Sequence, residues 1–294
     1  MLQSIKNFSL TKLHDQIKLP ETEFQQWLTD LGMLHRKRTC DCGTEMRKEK
    51  HGQYERWICK KKSKCRKTKG ALVGTFLIMY FWSRRPVIHI NQTELERETG
   101  VPVPSLIDWQ NFLRDIAGEF CNQNDRMIGG EGVEVEMDET CVSRRKYNKG
   151  RMVKHKQWLV GGVQRNSLGK KCFVEMVADR KRPTLEKIIR RRVKPGSIIL
   201  TDQWKPYFSI EKMDEDIRIK AKEYVRKDNK KIHTQNIECL WQKLKRRHKT
   251  EFGTAETTFE SYMNEFVWKQ KFGGDDCFFH LISQITNNQK YLCE

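Results

Sequence analysis

From Val133 to Asp138 the chain alternates apolar and acidic side chains without a break: Val-Glu-Val-Glu-Met-Asp. A period of two buries one face of a pleated strand and leaves the acids on the other, and a helix does not accommodate it. The stretch predicts a strand with Val133, Val135 and Met137 on a core. Gln157–Val163 and Lys171–Val177 are predicted strands joined around Asn166-Ser167-Leu168-Gly169, and Asn148-Lys149-Gly150 is a predicted turn before them. Thr184–Arg192 predicts a helix with Leu185, Ile188 and Ile189 facing inward. Pro195-Gly196 turns the chain into a fourth strand, Ser197–Thr201. Residues 219–226 read as a weaker strand, and Ile237–Lys249 reads as a long helix.

This succession is the order of an RNase H-like fold, an α/β architecture with a mixed sheet flanked by helices. Ile128-Gly129-Gly130-Glu131-Gly132 reads as a linker ahead of it, because clustered glycines between periodic regions mark loops. Further upstream, Pro20, Glu21 and Glu23 predict a helix start, with Phe24, Trp27, Leu28 and Leu31 as its apolar face. Asn91–Phe120 predicts a helix over Thr93–Thr99 ending at Gly100, a turn over Val101–Pro104, and a helix over Ser105–Phe120. Leu106, Trp109, Leu113 and Ile116 form the stripe of that second helix. The pattern is helix-turn-helix-like, and an ordinary helical hairpin fits it equally. The expected segments are 1–36 helical, 37–83 zinc-ribbon-like, 84–127 helix-turn-helix-like, 131–272 RNase H-like, and 273–294 a tail without informative pattern.

Lys and Arg number 57 against 38 acids, a net charge of +19, and nucleic acid is the first polyanion such a chain implies. The longest apolar run, Phe76–Trp82, is far too short to span a bilayer. Met1–Thr11 lacks the charged-then-apolar order of a signal peptide, so the expectation is a soluble intracellular chain. In that setting ten cysteines are not a disulfide framework. Cys40-x-Cys42 and Cys59-x5-Cys65 lie 16 residues apart around Gly43 and Trp57, the shape of a four-cysteine zinc site. The spacings depart from the usual C-x2-C. His51 is therefore kept as a possible substitute ligand, and two reduced, partly buried pairs are the alternative.

Three acids stand at element ends: Asp138 closing the first strand, Asp202 following the fourth, and Glu238 opening the long helix. In that helix Ile237, Leu240, Trp241 and Leu244 form the buried stripe, and Glu238, Gln242, Lys245 and Lys249 a second one. Each acid alone reads as a solvated strand end, a cap or a first-turn glutamate favoured by the helix dipole. Together, in a basic chain, they point to a divalent-metal site for phosphodiester chemistry, holding two Mg²⁺ or Mn²⁺ ions. Asn236 is a rival third ligand. Glu238 is preferred because an anion holds Mg²⁺ better than an amide, which leaves Asn236 as the helix N-cap.

At these residues the chain resembles the Merlin-type DDE transposases and their bacterial insertion-sequence relatives. The match runs through Val135–Thr140, Arg145–Arg151, Gln157–Gly162, Ala178-Asp179-Arg180, Thr201-Asp202-Gln203-Trp204-Lys205-Pro206-Tyr207 and His233-Thr234-Gln235-Asn236-Ile237-Glu238-Cys239-Leu240-Trp241. The pairing of Asp-x-Trp-x-x-Tyr with His-Thr-Gln-x-Ile-Glu is the specific part. The 35 residues between Asp202 and Glu238 are similar to the spacing in many DDE enzymes. The resemblance implies Asp138, Asp202 and Glu238 as catalytic acids, two-metal cleavage and strand transfer, and a zinc ribbon in front. It implies binding to double-stranded DNA, both terminal inverted repeats and target, as a homo-oligomer on DNA. The expected DNA contacts are Arg145, Lys146, Lys149, Arg151, Trp204, Tyr207, Lys243, Lys245 and Arg246. No membrane partner is expected, and the compartment is the nucleus for a eukaryotic host and otherwise the cytoplasm. The competing functions are a host-recruited DNA-binding protein without catalysis and an RNase H-like nuclease or resolvase.

Overall fold

A computed structural model of the chain describes residues 2–34, 37, 39–40, 42–51, 54–61, 68–69, 73–85, 90–123, 127–142, 157–167, 171–202, 206–207, 218–221, 234–250 and 256–287. It divides into two compact units, residues 1–116 with 272–294, and residues 117–271.

The first unit opens with α1 (Leu10–Ile17) and α2 (Glu21–Asp30). An antiparallel sheet of β1 (Met46–His51), β2 (Tyr54–Cys59) and β3 (Thr68–Lys69) follows. Then come α3 (Val73–Arg84), α4 (Gln92–Thr99) and the first part of α5 (Val103–Gln123). Helix α3 is apolar on nearly every side, and such a helix is stable only when enclosed. Phe76 and Tyr80 on α3 meet Phe8, Phe24 and Phe278 in an aromatic cluster with ring centroids 5.2–6.3 Å apart. Phe278 belongs to a helix over Cys277–Asn287, here α9, inside the segment that shows no pattern in sequence. Its Phe278, Leu281, Ile282 and Ile285 are buried, so the end of the chain completes the core begun by its start. Helix α4 begins with a capping box between Asn91 and Glu94 and ends at Gly100, whose φ of +67° gives the left-handed stop that suits glycine.

The second unit is a five-stranded mixed sheet in the order β6-β5-β4-β7-β8. Its strands are β4 (Glu134–Cys141), β5 (Trp158–Gln164), β6 (Cys172–Val177), β7 (Ile198–Thr201) and β8 (Arg218–Ala221). The β4–β5 and β5–β6 pairs are antiparallel, while β7 lies parallel to β4 and β8 parallel to β7. One face packs Val135, Met137, Phe173 and Ile199 against Leu185, Ile188 and Ile189 of α6 (Arg182–Arg192). On the other face, Leu159 joins Ile237, Leu240, Trp241 and Leu244 of α7 (Gln235–Thr250) and Phe259, Met263 and Phe266 of α8 (Phe259–Phe272). The alternation that marks β4 in sequence thus sends its apolar residues towards α6 and its acids towards α7.

The glycine-rich segment before β4 is not the free linker its composition predicts. Ile128 pairs with Val193, the Gly129 N–H donates to Gln164 Oε1 (3.0 Å), and the Gly130 N–H donates to Ser197 Oγ (2.9 Å). Gly129 has a φ of +91°, and a Cβ there would sit 2.2 Å from Ser197 Oγ. Glycine serves close approach to the sheet rather than looseness.

Candidate active site

Helix α7 lies along β4 and is tied to it by polar groups at two levels. Lower on the strand, Glu136 is wholly buried. Its Oε1 accepts hydrogen bonds from Asn236 Nδ2 (2.8 Å) and Arg165 Nε (2.7 Å), and its Oε2 from the Ile237 N–H (3.0 Å). Two residues on, Asp138 Oδ2 accepts the Trp241 indole N–H at 3.0 Å. Gly161 is the cross-strand neighbour of Asp138, and a Cβ there would lie 2.5 Å from the Trp241 ring. The bare backbone at Gly161 is what lets the indole come this close to β5 and point its N–H at Asp138.

Asp202 and Glu238 stand close enough to Asp138 for their charges to act on its carboxyl, although among the described residues the three carboxylates do not come within 4.8 Å of one another as a group. Glu136 pairs with Leu200 in the parallel register, so extending the pairing by two residues sets Asp202 beside Asp138 on the neighbouring strand. Glu238 is exposed in the first turn of α7, three residues before Trp241, and its Oε1 accepts from Thr234 Oγ1 at 3.3 Å. Burial pushes the Asp138 carboxyl above the ordinary carboxylate range. Hydrogen bonds from the Glu139 N–H and Trp241 oppose that rise, and the negative charges of Asp202 and Glu238 add to it. Three oxygen-donor groups whose charges destabilise one another suit a hard divalent cation, which relieves that repulsion.

Sequence reasoning missed several residues here. Glu139, next to Asp138 but on the opposite face, is raised to about 7, first by burial and then by Asp138 and Asp202, against the hydrogen bond from Tyr207. Arg165 pairs with both Glu136 and Glu134. The alternation already set Glu136 on the same face as Asp138, and that was the available signal.

Tyr207 does not offer its ring to a DNA base. It is fully buried and its hydroxyl donates to Glu139, which makes it a core residue beneath the site. Asn236 is not the N-cap either. The Glu238 N–H bonds to the Thr234 carbonyl (3.1 Å), which makes Thr234 the cap, and the Asn236 amide is given to Glu136. Lys243, Lys245 and Arg246 are exposed on α7 as DNA contacts require. Trp204, Arg145, Lys146, Lys149 and Arg151, with the predicted turn at 148–150, lie outside the described residues.

In the first unit, the sulfurs of Cys40, Cys42 and Cys59 lie within 4.8 Å of one another, with Cys42 and Cys59 at 3.5 Å. A tight turn makes this possible: the Gly43 N–H reaches the Cys40 carbonyl (2.8 Å), and Gly43 has a φ of +76°. Contacts with the Thr44 hydroxyl and N–H, and then with Cys40 and Cys59, bring the Cys42 thiol down to about 6, towards the thiolate that metals bind. Cys65 lies outside the described residues. His51 pairs with Tyr54 at one end of the β1–β2 hairpin, while Cys59 pairs with Met46 at the other. The separation of about 16 Å, five residues of strand, removes His51 as a substitute ligand.

The charges of the two N-terminal modules differ. Residues 36–69 hold fourteen Lys and Arg against four acids, whereas 91–120 hold six acids against Arg97 and Arg114. Asp108, Asn111 and Asp115 are exposed on α5 and Arg114 is buried. Such a face repels a phosphate backbone, which weighs against α5 as a recognition helix.

Residues 128–271 match the ISXO2-like transposase domain. The match takes in the whole mixed sheet, α6, α7 and all but the last residue of α8, and it contains Asp138, Asp202 and Glu238. No curated protein matches the chain. Among solved structures, the chain is similar to one in a simian T-cell lymphotropic virus intasome in complex with PP2A regulatory subunit B56 gamma. That likeness has 14% identity and a TM-score of 0.32, over 65% of this chain and 67% of that one. It is also similar to a chain of a pre-cleavage Mos1 transpososome, at 8% identity and a TM-score of 0.30, over 73% and 76%. No helix among the described residues is long and apolar enough to cross a membrane.

Proposed function

We propose that this chain is a DDE-type DNA transposase of Merlin-type kinship, whose RNase H-like unit cleaves transposon ends and joins them to target DNA. The observation that supports the reading is that Asp202, just after β7, and Glu238, in the first turn of α7, act by charge on Asp138 of β4, all inside the segment matching a transposase domain. The strand order, with an antiparallel trio and two parallel strands beyond β4, supports the RNase H-like assignment.

Asp138, Asp202 and Glu238 hold the divalent ions. When bound, two Mg²⁺ or Mn²⁺ ions supply an activated water or 3′-hydroxyl and stabilise the leaving oxygen. Trp241 fixes the orientation of Asp138. Lys243, Lys245 and Arg246 grip phosphate from the exposed part of α7. Cys40, Cys42 and Cys59, with Cys65 as fourth ligand, hold a structural zinc. The basic segment 36–69 around it carries the first DNA contact, in preference to the acidic α4–α5 pair. The chain works as a homo-oligomer on double-stranded DNA, in the nucleus of a eukaryotic host or the cytoplasm of a prokaryotic one.

The test is incubation of the purified protein with DNA carrying the element's terminal repeats and Mg²⁺. Strand breaks at the repeat ends, lost on chelation, are expected. Retarded DNA that stays intact would instead favour a host-recruited, non-catalytic DNA-binding protein. Cleavage indifferent to the repeats would favour a general nuclease.

A further inference from the structure

Glu136 stands outside the acid trio proposed for cleavage. It is 0% exposed, and donors that reach it come from groups which hold structure in place, among them the Arg165 guanidinium, the Asn236 amide and the backbone N–H of Ile237. A carboxylate this deep is costly unless its lone pairs are filled and its charge is matched. Here Arg165, itself only 10% exposed, matches the charge and passes a second bond to Glu134 Oε2 at 3.0 Å. With Arg165 on one oxygen and the start of α7 on both, Glu136 is not placed to hold a metal.

Its position explains its presence. Glu136 lies two residues before Asp138, and its partner Ile237 lies immediately before Glu238. The second tie joins Asp138 to Trp241, four residues beyond Ile237. Two residues of strand advance about 6.6 Å and four of helix about 6 Å, so both ties close together only at one height of α7 along β4. The lower tie holds the first turn, the turn that carries Glu238. The apolar stripe of Ile237, Leu240, Trp241 and Leu244 resists lifting of the helix, but apolar contact is non-directional and sets neither height nor rotation well.

We propose that Glu136, with Arg165 as its counter-ion and Asn236 as its grip on α7, is a positioning residue: it sets the height and rotation of the first helical turn so that Glu238 meets Asp138 and Asp202. The inference rests on the reading of Glu238 as a metal ligand. Residues that orient metal ligands without touching the metal typically change metal affinity or activity by about 10- to 100-fold when altered.

The test measures Mn²⁺ affinity by calorimetry on the full chain, and cleavage of repeat-end DNA at several Mn²⁺ concentrations. Glu136→Gln keeps the size of the side chain but leaves Arg165 without its buried counter-charge, and is expected to weaken Mn²⁺ binding about 10-fold or more. Cleavage should fall at low Mn²⁺ and recover at high Mn²⁺, with DNA affinity unchanged. Glu238→Ala should not recover at any concentration. Asn236→Ala removes a neutral donor without stranding a charge, and should weaken Mn²⁺ binding less than Glu136→Gln. It keeps the test decisive should Glu136→Gln fail to fold. Wild-type Mn²⁺ affinity in folded Glu136→Gln, or in Asn236→Ala where that one folds alone, would overturn the proposal while leaving Glu238 in its role. Wild-type affinity in Glu238→Ala would overturn the underlying reading instead.

Discussion

Asp138, Asp202 and Glu238 come from segments up to a hundred residues apart, whereas Cys40, Cys42 and Cys59 lie within a span of twenty. The acids stand on a central strand, just past the end of its parallel neighbour and on a helix, with apolar clusters on both faces of the sheet. Around the cysteines, among the described residues, the cluster is Cys40, Met46 and Cys59 with Trp57 against it. So small an apolar centre does not hold a hairpin on its own. On the proposed reading the two metals have different tasks. Among the acids a cation would complete the chemistry. Among the cysteines a cation would complete the fold.

The largest effect is expected at the proposed structural zinc. Structural zinc in small domains contributes an apparent 10–16 kcal/mol, roughly, at neutral pH. Chelating zinc should therefore abolish hydrogen-exchange protection over Arg47–Cys59 while β4 and β5 keep theirs. Equal protection with and without metal would erase the contrast. Next comes Asp138→Asn. Cleavage should drop to background, yet in metal-free buffer the melting temperature should hold or rise, because a half-buried charge beside two like charges is gone. Added Mg²⁺ should raise the melting temperature of the wild type and not of the variant. A variant that melts well below the wild type without metal would mean that the acids support the fold after all.

Gly161→Ala tests the steric half of the acid site. The new methyl would enter the space of the Trp241 ring, and overpacking of this kind costs about 1–3 kcal/mol. Both thermal stability and cleavage should fall, since the indole carries the hydrogen bond to Asp138. A neutral result would show that Trp241 does not orient Asp138. The smallest effect belongs to Lys245→Ala, on the exposed side of α7. DNA affinity should weaken across sequences, and the log–log salt slope should drop by about one unit. An unchanged slope in a normally folded variant would return Lys245 to the solvated surface.

Much of this was legible in sequence because it follows from period and punctuation. Alternation over Val133–Asp138 marks β4 and even the side on which Glu136 and Asp138 stand. The buried stripe of α7 is visible as Ile237, Leu240, Trp241 and Leu244. What escaped depends on what arrives over a face from far along the chain. An alternating strand does not say that its acidic face will be covered by a helix a hundred residues later, so nothing in the sequence singles out Glu136 or its partner Arg165, and Asn236 reads as a helix cap. Glycine carries the same ambiguity: Gly129 and Gly130 read as looseness, but they permit close approach to Ser197 and Gln164. Tyr207 reads from its motif as a DNA contact, and only its burial and the bond from its hydroxyl to Glu139 mark it as core. The helix over Cys277–Asn287 is short, and its apolar face makes sense only beside Phe76 and Tyr80.

The central claim is that Asp138, Asp202 and Glu238 form one metal site. It is tested most directly by growing crystals of the wild type with Mn²⁺ and locating the metal by its anomalous scattering. Manganese should lie among the three carboxylates, and crystals of Glu238→Ala should lose or weaken that density. Manganese bound elsewhere, or density among the acids that is indifferent to Glu238, would contradict the account.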